Sequence, residues 1–288
     1  MGHGIAQITA DKGLQVIAYD NNQTSLDKGI KMITASATSI ANKAVTKGEI
    51  DKSTANTRVS TLIGNITPST KLDSLSTCDL IIEAGPEDAD IKAKLYTDLS
   101  KILNTKTILA SNTSGLEINW LATKFGRQQQ VVGLHYFNPV QIMRLVEIIQ
   151  TPDTPKEIVE GLIKFVKFQG KTPVLAADTP GFIVNRLLVP YLASAMALVD
   201  RKVATVKDID TGMMLGASHP MGPLHLADYV GLDTCLYILQ NWTKKYPNEP
   251  AFFIPDGLKE KVKQGKLGRK TGEGYYKWKG NAIEGPVE

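Results

Sequence analysis
Apolar residues along this chain come in two rhythms. Short continuous runs of the kind a buried parallel strand requires alternate with longer stretches in which apolar positions recur at helical spacing. In order, the pattern predicts a helix leading out of Gly2, a strand over 15–19 ending at Asp20, a long helix over 23–47, a second helix over 51–61 and a strand over 62–66. It then predicts a strand over 79–84, a helix over 88–103, a strand over 107–110, a helix over 116–123, and two strands over 131–135 and 145–149. A helix over 156–169 and a strand over 172–176 complete this first half. Asp178-Thr179-Pro180-Gly181 reads as a punctuated linker, which places a boundary between 1–178 and 179–288. Beyond it everything reads as helix, over 182–200, 206–215 and 232–246. Strands alternating with helices imply an α/β sheet. A helical tail implies a separate, all-helical C-terminal domain.

One pair of runs carries chemistry. Val131 to Leu134 delivers His135, and Glu147 stands in the middle of Leu145-Val146-Glu147-Ile148-Ile149. Asn138-Pro139 between them permits a return, so the two strands lie antiparallel and bring imidazole and carboxylate within reach. A carboxylate among branched apolar neighbours is costly to bury without a hydrogen-bonded partner, and the histidine is the available one. The pair serves equally as a structural salt bridge or as a base whose tautomer the acid fixes.

Composition narrows the classes. The 288 residues carry 42% hydrophobic and 22% charged side chains with a formal charge of +4, values of a globular protein with a mild preference for anions and no nucleic-acid footprint. No apolar run reaches the roughly 18 residues of a membrane span. Cys78 and Cys235, far apart and at no metal or redox spacing, suggest a reducing compartment. His219 and His225, in a turn-rich passage, read as structural rather than as metal ligands.

The stretch Gly133-Leu-His-Tyr-Phe-Asn-Pro-Val-Gln-Ile-Met-Arg-Leu-Val-Glu147 resembles the active-site segment of the NAD-dependent (3S)-3-hydroxyacyl-CoA dehydrogenases, and the likeness runs from Met1 to about Lys277. The resemblance implies a Rossmann-type doubly wound sheet, a helical hairpin inserted at about 23–61 that closes over coenzyme A, and a C-terminal domain that forms a homodimer. It implies that His135 is the base, Glu147 its partner, and Ser114 and Asn185 the groups that position the substrate oxygen. Gly2, Asp20, Glu87, Lys92, Ser114, Asn138 and Lys270 match positions of the NAD site, and Ser36, Lys43 and Ser114 those that meet the CoA substrate. Asp20 favours NAD over NADP, because a carboxylate repels a 2′-phosphate. No metal and no nucleic acid belong to this scheme. The implied reaction is oxidation of a 3-hydroxyacyl-CoA to a 3-oxoacyl-CoA in fatty acid β-oxidation, in the mitochondrial matrix for a eukaryotic source or the cytoplasm for a bacterial one.

The chain departs from that pattern at its start. Gly2 matches the third glycine of Gly-x-Gly-x-x-Gly, while the first two and the strand before them are absent. That strand is central in a sheet of order 3-2-1-4-5-6, so its absence predicts two neighbouring strands with unpaired backbone, and suggests a natural polypeptide that begins upstream of Met1. Two other readings stay open: a dehydrogenase of a free hydroxy acid using the same base, and a catalytically idle homologue that has lost its phosphate loop.

Overall fold
The computed structural model describes residues 1–287 and divides into two compact units, Met1–Phe182 and Ile183–Glu288. The first begins with helix α1 (Gly2–Ala10), strand β1 (Val16–Tyr19), the helical pair α2 (Gln23–Thr46) and α3 (Lys52–Gly64), and strand β2 (Ile66–Ser69). Asn22 and Asp51 start the two long helices by accepting the backbone N–H of Ser25 (3.0 Å) and Thr54 (2.6 Å). The strand expected over 62–66 is corrected here. Leu62 and Ile63 finish α3, because Val59, Leu62, Ile63 and Ile66 pack into one small core with Ile33 and Ala37 of α2, and pairing starts only at Ile66.

The remaining elements are β3 (Leu80–Glu83), α4 (Ala89–Ile102), β4 (Ile108–Ser111), α5 (Ile118–Phe125), β5 (Val131–Tyr136), β6 (Leu145–Gln150), α6 (Lys156–Phe168) and β7 (Thr172–Ala177). Strands β3 to β7 form one sheet in sequence order, parallel except for the antiparallel pair β5–β6. Strands β1 and β2 pair in parallel as a separate two-stranded sheet. Ile17 and Tyr19 of β1 join the core that holds Ile81 of β3, yet the two strands share no ladder. Each is therefore paired on one side only, as expected of a doubly wound sheet without its central strand.

The second unit packs α7 (Val184–Asp200), α8 (Val206–Gly216), α9 (Pro223–Val230), α10 (Leu232–Lys245) and α11 (Asp256–Lys263) around a core containing Leu192, Met196, Leu224, Leu239 and Trp242. It is not wholly helical. Strands β8 (Tyr276–Lys279) and β9 (Ala282–Pro286) form an antiparallel hairpin, in which Tyr276 and Trp278 point inward and Lys277 and Lys279 outward. Two buried acids fasten it. Asp228 accepts the N–H groups of Tyr275 and Tyr276 and the Trp278 indole, each at 2.9 Å, while Asp210 caps α9 through Leu224 and His225 and accepts the Tyr276 hydroxyl at 2.7 Å. Burial pushes the Asp228 carboxyl above its ordinary range in spite of these donors. His225 packs on Trp278 and His219 meets the Tyr191 hydroxyl, which fits the structural reading of both.

Candidate active site
Strand register brings the acid to the histidine. In the β5–β6 pair His135 lies directly opposite Glu147, and Nδ1 sits 2.7 Å from Oε2 with both side chains buried. The Glu147 side chain is wholly excluded from solvent, so the imidazole supplies polar contact that water cannot. Phe137 and Phe182 flank the ring at centroid distances of 4.6 and 5.6 Å and limit its rotation. The other nitrogen, Nε2, lies 3.3 Å from the Ser114 hydroxyl.

Ser114 is exposed on the segment after β4, and two layers of charge hold that segment. Glu87 Oε1 accepts the Thr113 hydroxyl at 2.5 Å and the N–H groups of Ser114 and Gly115 at 2.9 and 3.0 Å. Behind it, Lys92 is 1% exposed and places its ammonium 2.7 Å from both oxygens of Glu83 and 3.5 Å from Glu87 Oε2. Glu83 also accepts the Gly85 N–H at 2.7 Å and the Ser111 hydroxyl at 2.8 Å. A buried cation thus bridges two carboxylates, one in the sheet and one gripping the Ser114 loop. Asp178, at the end of β7, caps α5 through the N–H groups of Ile118 and Asn119 at 3.0 and 2.7 Å, and so fixes the far end of the same loop.

Of the residues singled out from sequence, His135, Glu147, Ser114, Glu87 and Lys92 converge, though Lys92 lies beneath the surface with its charge turned to Glu83. Asn138 is exposed on the loop leaving β5. Asp20 stands at the end of β1, where one oxygen accepts the Asn22 N–H at 2.9 Å. Ser36 and Lys43 lie along α2, the first half-buried and the second exposed. Asn185 belongs to the first turn of α7, and Lys270 is ion-paired with Asp233 in the second unit. Glu83, Ser111 and Asp178 were not anticipated. Glu83 follows Leu80-Ile81-Ile82, the same carboxylate-in-apolar-run signal that marked Glu147.

The residues also fit a dinucleotide. Helix α1 begins without a side-chain cap, which leaves first-turn N–H groups for a phosphate. Gly2 lies beside Ala84 at ordinary van der Waals spacing, a Cβ there falling 3.6 Å from the alanine Cβ. Gly4 is the closer approach: a Cβ there would lie 2.9 Å from Val140 Cβ.

Comparison with known proteins agrees over nearly the whole length. The sequence profile of the 3-hydroxyacyl-CoA dehydrogenase NAD-binding domain matches residues 1–179, and that of the C-terminal domain matches 181–278. The chain is 45% identical over 280 residues to the mitochondrial hydroxyacyl-coenzyme A dehydrogenase of Rattus norvegicus, spanning 97% of this chain and 88% of that protein. It is 38% identical to a 3-hydroxybutyryl-CoA dehydrogenase of Bradyrhizobium diazoefficiens, over 97% of this chain and 92% of the relative. Among solved structures, the (S)-3-hydroxybutyryl-CoA dehydrogenase of Ralstonia eutropha superposes with a TM-score of 0.90 at 34% identity, covering 97% and 95% of the two chains. Two domain profiles that meet at the end of β7, together with relatives matched almost end to end, establish that the chain belongs to the 3-hydroxyacyl-CoA dehydrogenase family.

Proposed function
We infer that the chain is an NAD-dependent oxidoreductase that converts a (3S)-3-hydroxyacyl-CoA to the 3-oxoacyl-CoA, the oxidation step of fatty acid β-oxidation. The observation that carries this reading is the buried His135–Glu147 contact of 2.7 Å, with the opposite ring nitrogen turned to the Ser114 hydroxyl. In this reading His135 Nε2 takes the proton of the substrate C3 hydroxyl, and Glu147 keeps Nδ1 as the donor and stabilises the imidazolium as it forms. NAD, when bound, supplies the acceptor for the hydride that leaves C3. Ser114 donates to the substrate oxygen without competing for its proton, and Glu87 holds the backbone that aims it. Asn138 extends this polar lining, and Asn185 is the second unit's match to the family position that meets the substrate oxygen. Gly2, Asp20, Glu87, Ser114 and Asn138 attend the dinucleotide, Lys92 supports them from beneath through Glu83 and Glu87, and Lys270 is the second unit's match to the family's cofactor site. Ser36 and Lys43 attend coenzyme A, whose anionic phosphates suit an exposed lysine on α2.

Two finer points belong to the same reading. The second unit leaves Leu187 70%, Leu215 80% and Tyr237 60% exposed, apolar surface that a homodimer would cover. Sedimentation equilibrium reporting a monomer at micromolar concentration would remove that part. No helix among the described residues is long and apolar enough to cross a membrane. Relatives from mitochondria and from bacteria support a matrix enzyme for a eukaryotic source and a cytoplasmic one for a bacterial source. The deciding experiment is turnover of acetoacetyl-CoA with NADH beside free acetoacetate with NADH. The thioester is expected to react and the free acid to remain essentially untouched; equal rates on both would refute the substrate class.

A further inference from the structure
Lys171 sits between α6 and β7, just after Gly170, whose φ of +78° turns the chain back toward the sheet. It is 9% exposed, and its ammonium donates to the carbonyls of Val140 and of Met143, the latter at 2.7 Å. Both acceptors belong to the loop that joins β5 to β6. Within that loop the N–H groups of Ile142 and Met143 return to the Pro139 carbonyl at 3.0 and 2.9 Å, forming a compact turn directly after Asn138.

The opposite side of this turn is tied to helix α1. Val140 is buried against Gly4 of α1, and Gln141 donates to the Gln7 side chain at 2.7 Å. Gln169, two residues before Lys171, donates to Thr9 of α1 and accepts the Tyr136 hydroxyl, both at 2.7 Å. The loop is held on one side by α1 and on the other by the Lys171 ammonium and, at its end, by the Thr172 N–H, which donates to the Arg144 carbonyl at 2.7 Å.

Burial pulls the Lys171 pKa below the ordinary lysine range, so the charge is kept at a cost. An aliphatic side chain would avoid that cost but leave the Val140 and Met143 carbonyls without this donor. What the ammonium adds is direction, because it binds two carbonyls of one turn and leaves the turn a single position. We propose that Lys171 is a positioning residue, fixing the β5–β6 loop so that Asn138, directly before the clamped turn, keeps its place relative to His135. The proposal rests, for its kinetic consequence, on the dehydrogenase reading above.

The test compares the full-length protein with Lys171→Met and Lys171→Arg. In Lys171→Met, hydrogen exchange at Ile142 and Met143 should quicken by about ten-fold or more while β3 and β4 exchange as before. With acetoacetyl-CoA and NADH, kcat should fall by about 10- to 100-fold, the size of a misplacement on the order of 1 Å, with the thioester KM little changed. A variant with unaltered loop exchange and kcat within about two-fold of wild type would overturn the proposal, even with a lowered Tm. Should the methionine variant fail to fold, Lys171→Arg carries the same test. Its broader guanidinium keeps the charge and cannot occupy the same point between the carbonyls, so a several-fold loss of kcat with quickened loop exchange supports the clamp, and wild-type values of both overturn it. If wild-type protein shows no turnover of the thioester, the functional reading fails instead, and the exchange measurement still decides the clamp.

Discussion

Replacing Glu147 by glutamine tests the acid–imidazole pair at its centre. The amide matches the carboxylate in size and can still accept from His135 Nδ1, so the wholly buried site keeps its packing while the negative charge disappears. The 2.7 Å contact puts the charge centres of carboxylate and imidazolium about 4 Å apart, which at an effective dielectric of about 20 corresponds to about 4 kcal/mol. At about 1.4 kcal/mol per decade this caps the rate loss near 10³, and the surviving amide hydrogen bond brings the expectation to about 10²–10³ in kcat. Because the charge interacts with an imidazolium present only after proton transfer begins, KM for the thioester should stay close to wild type. Steady-state reduction of NAD by a (3S)-3-hydroxyacyl-CoA, the direction in which the imidazole starts neutral, measures the loss, and a thermal melt with NADH titration checks that the variant is folded and loaded. A folded variant with kcat within about three-fold of wild type would refute the role given to Glu147.

Ser114→Ala should lower kcat/KM by about 10- to 100-fold, the worth of one hydrogen bond to a developing charge, while the loop stays in place through the Ser114 N–H bond to Glu87; unchanged kcat/KM would remove the hydroxyl from the mechanism. Gly4→Ala places a Cβ 2.9 Å from that of Val140 and should cost about 1–3 kcal/mol, seen by calorimetry as a Tm lower by several degrees. The Arg186 guanidinium beside Glu249 holds that carboxyl below its ordinary value of 4.5. The folded protein then binds fewer protons than the unfolded chain, so this contribution is present above about pH 4.5 and lost as pH falls below it. Glu249→Gln should therefore flatten the acid limb of Tm against pH, and an equally steep limb would show that the pair does not couple to folding.

Legibility in the sequence followed the range of the interactions. His135 and Glu147 could be paired because their strands are joined by a short loop and each apolar run is unambiguous. The hairpin of the second unit was equally local, with Tyr276 and Trp278 alternating with lysines, but the lysine-rich composition of that segment masked its period of two. Leu62 and Ile63 satisfy both a strand run and the inner face of α3, and only the packing of α2 against α3 decides between them. Glu83 carried a readable signal, a carboxylate on an apolar strand, yet its partners Lys92 and Ser111 come from a following helix and a neighbouring strand, and no local pattern links the three. Lys171 gave no signal at all. A lysine after a helix ordinarily reads as a favourable dipole contact with solvent around it, and its carbonyl acceptors lie 31 and 28 residues earlier.

The antiparallel register of β5 and β6 sets how narrowly the acid and the imidazole are specified. Leu134 lies opposite Ile148 and Tyr136 opposite Val146, so the ladder is fixed on both sides of the His135–Glu147 rung. A slip of one residue would carry Glu147 to the other face of the sheet and set an aliphatic side chain against the ring. The backbone ladder, rather than either side chain, is what selects the partner.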